Sequence, residues 1–330
     1  MTRAVRIHET GEADVLKIED VEVGEPEAGE VRLRVEAFGL NRAEVMFRSG
    51  TYLEQPDLPA GMGYEGAGTI EAVGPGVTDF EVGDEVAVAP AFSMNAYCMY
   101  AESTIVPTHA LTARPKGLDA IHSSAVWMPY LTAYGALVEF GGLSKGEAVL
   151  IPAASSSVGV AAIQIAHHLG ATPIATSRTD AKVEQLKKAG AAEVIVTNNE
   201  SIPERVSEIT DGAGARLVFD PVGGTAVNDL AEAMSYHGMM FLYGALAAEP
   251  TPFPLFTALA KGLTLRGYTV FEVFGDADAF ARGKQFVFNG IASGDLEPIV
   301  DRVFAFDEIV EAHRYMESNQ QFGKIVVKVD

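Results

Sequence analysis

Along the first third of this chain apolar residues alternate with polar ones or gather in short runs, and no long helical pattern arises before about Leu118. Met1-Thr2-Arg3-Ala4-Val5-Arg6-Ile7-His8 reads as a first strand, and Val31 to Phe38 alternates like a strand with one buried face. Gly66 to Val77 predicts a strand running into a turn, and the tight turn at Gly83-Asp84 opens another at Glu85-Val86-Ala87-Val88. The expectation is a mainly β unit.

From Val149 the pattern changes. Val149-Leu150-Ile151 is continuously apolar, Ala153 to Ser157 are small, and Val158 to Ala166 resumes with helical spacing, which predicts strand, tight turn and helix. Short β-branched runs then alternate with amphipathic stretches. The strands expected are Thr172–Thr176, Glu193–Val196, Arg216–Asp220, Met239–Tyr243 and Leu263–Tyr268, with helices over Asp180–Ala189, Ile202–Thr210 and Ala226–Ser235 between them. Such alternation requires right-handed crossovers, so the fold class is α/β with a doubly wound parallel sheet beside the mainly β unit. The tail predicts helices near Asp276–Asn289 and Asp307–Ser318 and a strand at Lys324–Lys328. With no crossover left for the tail, it is assigned to the β unit. The expected division is 1–126 with 271–330 against 127–270.

The turn carries the first chemistry. A helix N-terminus offers unpaired N–H groups and the positive end of its dipole to an anion, and small residues let the backbone approach it. Against the dinucleotide fingerprint G-x-G-x-x-G, the three glycine positions fall on Ala154, Ser156 and Gly159, so only the last is kept. The same residues also suit an ordinary strand-to-helix turn, and the hydroxyls of Ser155, Ser156 and Ser157 could either donate to a phosphate or merely narrow the turn. At the end of the second strand, where an NAD site places a carboxylate for the ribose hydroxyls, stands Ser177, followed by Arg178 and by Lys182. Two cations without a carboxylate favour the 2′-phosphate of NADP(H) over NAD(H); a solvated Arg/Lys pair at a helix start is the ordinary alternative.

Composition narrows the rest. A chain of 330 residues suits two domains or one large one, and a formal charge of −21 argues against a nucleic-acid footprint everywhere except at a local basic pocket. Apolar runs are interrupted well short of a membrane span and the amino terminus lacks an export pattern, so a cytoplasmic protein is expected. The one cysteine, Cys98, rules out an internal disulfide or a multi-cysteine metal site, and is read as a small apolar strand residue. The histidines are scattered, the acidic residues are not paired as in glycoside hydrolysis, and no G-x-S-x-G elbow surrounds Ser155 to Ser157.

The order of motifs across nearly the whole chain resembles the medium-chain dehydrogenase/reductase superfamily, in its zinc-free quinone oxidoreductase branch. The resemblance is carried by Gly39-Leu40-Asn41-Arg42-Ala43-Glu44 with Arg48, Gly50 and Tyr52, by Pro59 through Gly68, and by Gly74-Pro75-Gly76-Val77 with Phe80 and Gly83-Asp84. It continues through Leu131-Thr132-Ala133-Tyr134-Gly135-Ala136-Leu137, the turn, Asp220-Pro221-Val222-Gly223-Gly224 and Phe322-Gly323-Lys324-Ile325-Val326. It implies a Rossmann domain for the parallel sheet and a GroES-like catalytic domain for the β unit.

The resemblance also implies roles. The positions of the zinc ligands in metal-dependent members match Asn41, Tyr64 and Met128, none a credible zinc ligand, so no metal is expected. Without a Lewis acid the acceptor must be electrophilic already, which fits quinones and α,β-unsaturated carbonyls reduced by NADPH. Asn41, Tyr52 and Tyr64 are the candidate polarisers near the nicotinamide, and Arg48 is expected to brace its loop through a carboxylate such as Glu44. Thr132, Ser156, Ser157, Val158, Tyr243-Gly244-Ala245 and Lys324 are implied as cofactor contacts. A 2-enoyl or 2-alkenal reductase would show the same motifs, and an NADPH-binding structural or regulatory protein with little turnover is the reading from another class. A homodimer through the strand at Leu263–Tyr268 is expected, with a small-molecule substrate, no nucleic acid and no membrane as partners.

Overall fold

The computed structural model, which describes residues 1–329, divides the chain into one unit made of Met1–Met128 with the segment from Pro298 onward, and a second made of Pro129–Glu297. In the first unit the alternation at Val31 becomes strand Glu30–Gly39, with Val31, Leu33, Val35 and Ala37 buried and the charged residues between them more open. One edge of this strand pairs antiparallel with Glu65–Val73 from Val31 to Gly39. The other edge pairs first with Ser103–Pro107 and then, from Ala37, with Lys324–Lys328. Val300–Ala305 adds in parallel beyond Lys324–Lys328, while Glu85–Val88 and Leu111–Ala113 extend the far side. Thr2–Ile7 forms a small antiparallel sheet with Lys17–Val21 and Ala60–Gly61.

This register positions three chemically important residues. Gly39 lies opposite Glu65 on one side and Val326 on the other, so Asn41, Glu65 and Lys324 converge although they are far apart in sequence. A side chain at position 39 would meet Ser124 O at 2.2 Å and Lys324 Cε at 2.5 Å, so only glycine leaves the room that Lys324 fills.

The second unit is a six-stranded parallel sheet in the order Glu193–Val196, Thr172–Ser177, Ala148–Ile151, Ala215–Asp220, Met234–Leu242, Thr264–Gly267. Leu150, Ile174, Ile195, Val218 and Met240 of the strands pack with Val206, Val227 and Leu230 of helices Ile202–Ile209 and Val227–Ala233 into one core. The order reverses at Ala148–Ile151, so the turn after Ile151 stands at the switch point where ligands of such sheets bind.

Four expectations change. The tail does not belong wholly to the β unit: helix Ala277–Ser293 packs in the second unit, where Phe286 meets Tyr134 with ring centroids 5.3 Å apart and Arg282 Nη2 donates to Glu139 Oε1 at 2.5 Å. The division therefore falls after Glu297 and not at Val270. A helix over Arg42–Ser49 stands in the first third, ended by Gly50 at φ 74°; at 8 residues it is too short to show a period. The fifth strand begins at Met234, five residues before the apolar run, because it carries an irregularity with His237 at φ 58° that masks the alternation. Cys98 lies in a loop and not in a strand, its Sγ against Gly61. Among the described residues no helix is long and apolar enough to cross a membrane.

His313, on helix Ile309–Glu317 of the first unit, is fully buried and neither ring nitrogen has a hydrogen-bond partner. Burial, with the Arg48 and Arg42 guanidinium groups nearby, pushes its pKa down to about 3 from the ordinary 6.5. The folded state therefore binds the proton less well than the unfolded chain, and stability present above about pH 6.5 is lost as the pH falls toward 3. Urea unfolding at stepped pH is expected to show this as a slope of at most about 1.4 kcal/mol per pH unit. A His313→Leu variant should lack that component.

Candidate active site

In the second unit strand Ala148–Ile151 is buried, and the chain then turns through Pro152 and Ala153, the latter at φ 47°. Ser156 caps helix Ser157–His168: its Oγ accepts from Gly159 N at 3.1 Å, which leaves the N–H groups of Ser157 and Val158 at the open end of the helix. A side chain at position 159 would lie 2.6 Å from Ala154 O, so the glycine lets helix and turn touch. Ser155 Oγ accepts from Lys182 Nζ at 3.1 Å, and Lys182 is half-buried while Arg178 is exposed. The Ser177 hydroxyl donates to Thr179 O at 2.7 Å.

Two further groups close this end of the sheet. Buried Asp220 accepts from Val222 N at 2.8 Å and Gly223 N at 3.0 Å, fixing the turn after the fourth strand, although its burial raises its pKa. Tyr243 stacks on Phe219 with centroids 3.9 Å apart, and its N–H donates to Asp220 O at 2.9 Å. Its hydroxyl is buried and makes no full hydrogen bond; the Ser156 hydroxyl is its polar neighbour. Gly244 and Ala245 follow, exposed, and Thr132 is buried on helix Trp127–Tyr134. Open helix N–H groups, a position without room for a side chain, an orphaned phenol and the cations Arg178 and Lys182 beside the turn fit the phosphates of a dinucleotide.

The first unit holds the other group of expected residues, on a buried polar network. Lys324, 1% exposed, donates from Nζ to Asn41 Oδ1 at 2.6 Å and also to the Glu65 carboxylate, itself fully buried. Glu65 Oε2 in turn accepts from Met128 N at 3.0 Å. Asn41 precedes helix Arg42–Ser49, and its Nδ2 donates to Gly39 O at 3.3 Å and Glu44 Oε1 at 3.1 Å. Both the carbonyl and the amino group of Asn41 are thus engaged within the chain, so it acts as a connector and not as a free polariser. The Lys324 ammonium likewise ties the network together, joined to both Asn41 and Glu65.

Glu44 is the residue the sequence reading undervalued. Its carboxylate accepts from Asn41 N at 2.6 Å and Tyr100 OH at 2.6 Å on Oε2, and from Asn41 Nδ2 at 3.1 Å and Tyr64 N at 3.0 Å on Oε1. Burial pushes its pKa up, opposed by the Tyr100 phenol, the Lys324 charge and Asn41. Every neighbour is a donor, which is the environment of an anion. The brace expected between Arg48 and Glu44 is therefore not made: no Glu44 lone pair is left, and Arg48 Nη2 pairs with Glu317 Oε1 at 2.7 Å. Tyr100 had no motif to announce it, while Glu44 and Glu65 stood within motifs that gave neither a role beyond the Arg48 brace.

The two phenols do come together. Tyr64 is 1% exposed and meets half-buried Tyr52 edge-on, with centroids 6.4 Å apart. Their hydroxyls interact, so each phenol affects the ionisation of the other. Burial and nearby Glu44 and Glu54 raise both pKa values, that of Tyr64 far above the ordinary phenol, so both hold their protons at neutral pH. Phe92 packs beside Tyr64 at 6.1 Å.

A zinc ion does not fit this set. Of the positions matched to its ligands, Asn41 is engaged by an ammonium, Tyr64 keeps a firmly held proton, and Met128 contributes its N–H to Glu65. Among the described residues no three His, Cys, Asp or Glu side chains gather as a metal site. A buried charge with its partner removed is costly, so Lys324→Met, which strands Glu65, is expected to destabilise the fold by about 3–5 kcal/mol. Adding Glu65→Gln should recover part of that loss, as read by urea unfolding of both variants.

Residues 27–153 match the alcohol dehydrogenase GroES-like domain and residues 157–284 the zinc-binding dehydrogenase family. The chain is 31% identical to a 2-haloacrylate reductase of Burkholderia sp, over 99% of both chains. It is also 31% identical to a quinone oxidoreductase of Pseudomonas aeruginosa, again over 99% of both. The structure of Escherichia coli quinone oxidoreductase complexed with NADPH is similar with a TM-score of 0.90 at 26% identity, covering 99% of each chain. Together with the doubly wound sheet and its turn, these likenesses establish that the chain belongs to the medium-chain dehydrogenase/reductase superfamily, in its quinone oxidoreductase branch.

Proposed function

We propose that this chain is an NADPH-dependent reductase that delivers hydride to a quinone or another α,β-unsaturated carbonyl acceptor, without a metal. The observation that carries the cofactor is the end of the second strand, where Ser177, Arg178 and Lys182 stand in place of a ribose-binding carboxylate and Lys182 already reaches Ser155 of the turn. The E. coli relative holds NADPH, which supports the same reading. Bound NADPH supplies the hydride. In this proposal the N–H groups of Ser157 and Val158 and the Ser155 and Ser156 hydroxyls hold the pyrophosphate, Gly159 admits it, and Arg178 and Lys182 take the 2′-phosphate. Thr132 and Tyr243-Gly244-Ala245 complete the cofactor contacts.

The acceptor class follows from the donors of the first unit. Phenol O–H groups stabilise an oxyanion less than a Lewis acid does, so they suit an acceptor whose added charge is delocalised. Tyr52, the more open of the two phenols, is the donor to that oxygen, and the buried Tyr64 ring against its edge orients it. Asn41 and Lys324 hold the loop that carries them. The haloacrylate-reducing relative is as similar as the quinone-reducing one, which keeps a 2-enal, 2-enone or enoyl acceptor as the second reading.

We also propose a homodimer. Strand Thr264–Gly267 is the outer strand of its sheet, and the helix before it, Leu255–Lys261, exposes Leu255, Phe256 and Leu259. A second copy would cover both the strand edge and that apolar face.

Loss of reduced-nicotinamide absorbance, followed with a quinone and a 2-enone in parallel, is expected with NADPH and much less with NADH. Lys182→Ala is expected to raise the KM for NADPH roughly 10–100-fold and to leave NADH kinetics nearly unchanged. No turnover with either acceptor, or an equal effect on both cofactors, would overturn the reading. Light scattering should give twice the 35.0 kDa chain mass, and the chain mass itself would remove the dimer.

A further inference from the structure

We propose that Tyr100, acting through Glu44, is a positioning residue for the Tyr64 phenol, an inference that rests on the reading of Tyr64 as part of the proton-donating pair. Tyr100 touches the segment that carries Tyr64 in three ways. Its N–H donates to Met62 O at 2.9 Å. Its ring fills the space beside Gly63, where a side chain would meet Tyr100 Cδ1 at 2.4 Å and where φ is +102°. Its hydroxyl donates to Glu44 Oε2 at 2.6 Å, and Glu44 Oε1 accepts from Tyr64 N at 3.0 Å. Met62, Gly63 and, through Glu44, Tyr64 thus all meet Tyr100, by its backbone, its ring and its hydroxyl in turn.

Tyr100 is itself held firmly. It is fully buried, stacks on Phe38 with centroids 4.4 Å apart and meets the edge of His313 at 5.8 Å. The carboxylate between it and Tyr64 is saturated, with two donors on each oxygen. Losing the Tyr100 hydroxyl leaves Oε2 with the Asn41 N–H alone, which frees the carboxylate to turn away from Tyr64 N. The same anion stands close enough to both phenols to oppose their ionisation, so its placement also keeps the pair protonated. Glu44 has the length to reach Asn41, Tyr64 and Tyr100 at once; an aspartate is one methylene shorter.

The test is a kinetic cycle on the full chain with NADPH and a quinone: wild type, Tyr100→Phe, Tyr64→Phe and the double variant, each with its thermal midpoint. Tyr64→Phe is expected to lower kcat roughly 10–100-fold. Tyr100→Phe, which keeps the ring, is expected to lower kcat roughly 5–10-fold with the KM for NADPH unchanged. In the Tyr64→Phe background Tyr100→Phe should cost nothing further, because its effect runs through the missing phenol. Equal losses in both backgrounds, or no loss in the wild-type background, would overturn the proposal. If Tyr64→Phe alone keeps full kcat, the donor assignment under the proposed function fails and takes this inference with it, an outcome the single variant reveals separately. Should Tyr100→Phe not fold, Glu44→Asp must show the same loss and the same silence beside Tyr64→Phe, or the proposal falls.

Discussion

The first unit depends on one buried ion pair. An ammonium and a carboxylate removed from water lose several kcal/mol of hydration each, so they persist in an interior only when each finds its partner and its remaining hydrogen bonds. Lys324 and Glu65 meet that condition with Asn41 and the Met128 N–H, and the requirement ties together the end of one strand, the start of a second and the start of a third. The helix at Arg42, the Glu44 carboxylate and the segment bearing Tyr64 all hang from that knot. The cation here belongs to the chain itself, so the geometry of the loop needs no added ion.

The two units solve their recognition problems by different physics. The second uses backbone: small residues, a capped helix and open N–H groups form the turn that the proposed function gives to the phosphates, and in that proposal Lys182 and Arg178 add the preference for a 2′-phosphate. The first uses side chains in a dry interior, where a hydrogen bond is stronger and an unpaired group more costly than in water.

Local pattern made much of the architecture legible. The alternation at Val31, the apolar run at Val149 and the small residues after it place strands and the turn by contacts between near neighbours in sequence, which periodicity reports directly. The pattern failed where a short element shows no period, at Arg42–Ser49, and where an irregular strand hides its alternation, at Met234. It also misplaced the tail, because helix Ala277–Ser293 chooses its neighbour by a hydrophobic face that fits Tyr134, and sequence carries no record of which sheet that face will meet.

By itself the sequence determined the fold class, the position of the small-residue turn between strand and helix, and the Ser177, Arg178 and Lys182 that stand at and beyond the end of the second strand, since each is written in local pattern. Only the tertiary structure decided what the buried polar residues do. It engaged Asn41 from both sides, turned Lys324 inward, gave Arg48 to Glu317 and not to Glu44, and brought Tyr100 onto the Tyr64 segment. Lys324 and Asn41 stand 283 positions apart, and their contact exists because strand register puts both beside Gly39. Hydrogen-bond partners across such separations are chosen by the packing of whole strands, and no local spacing encodes that choice.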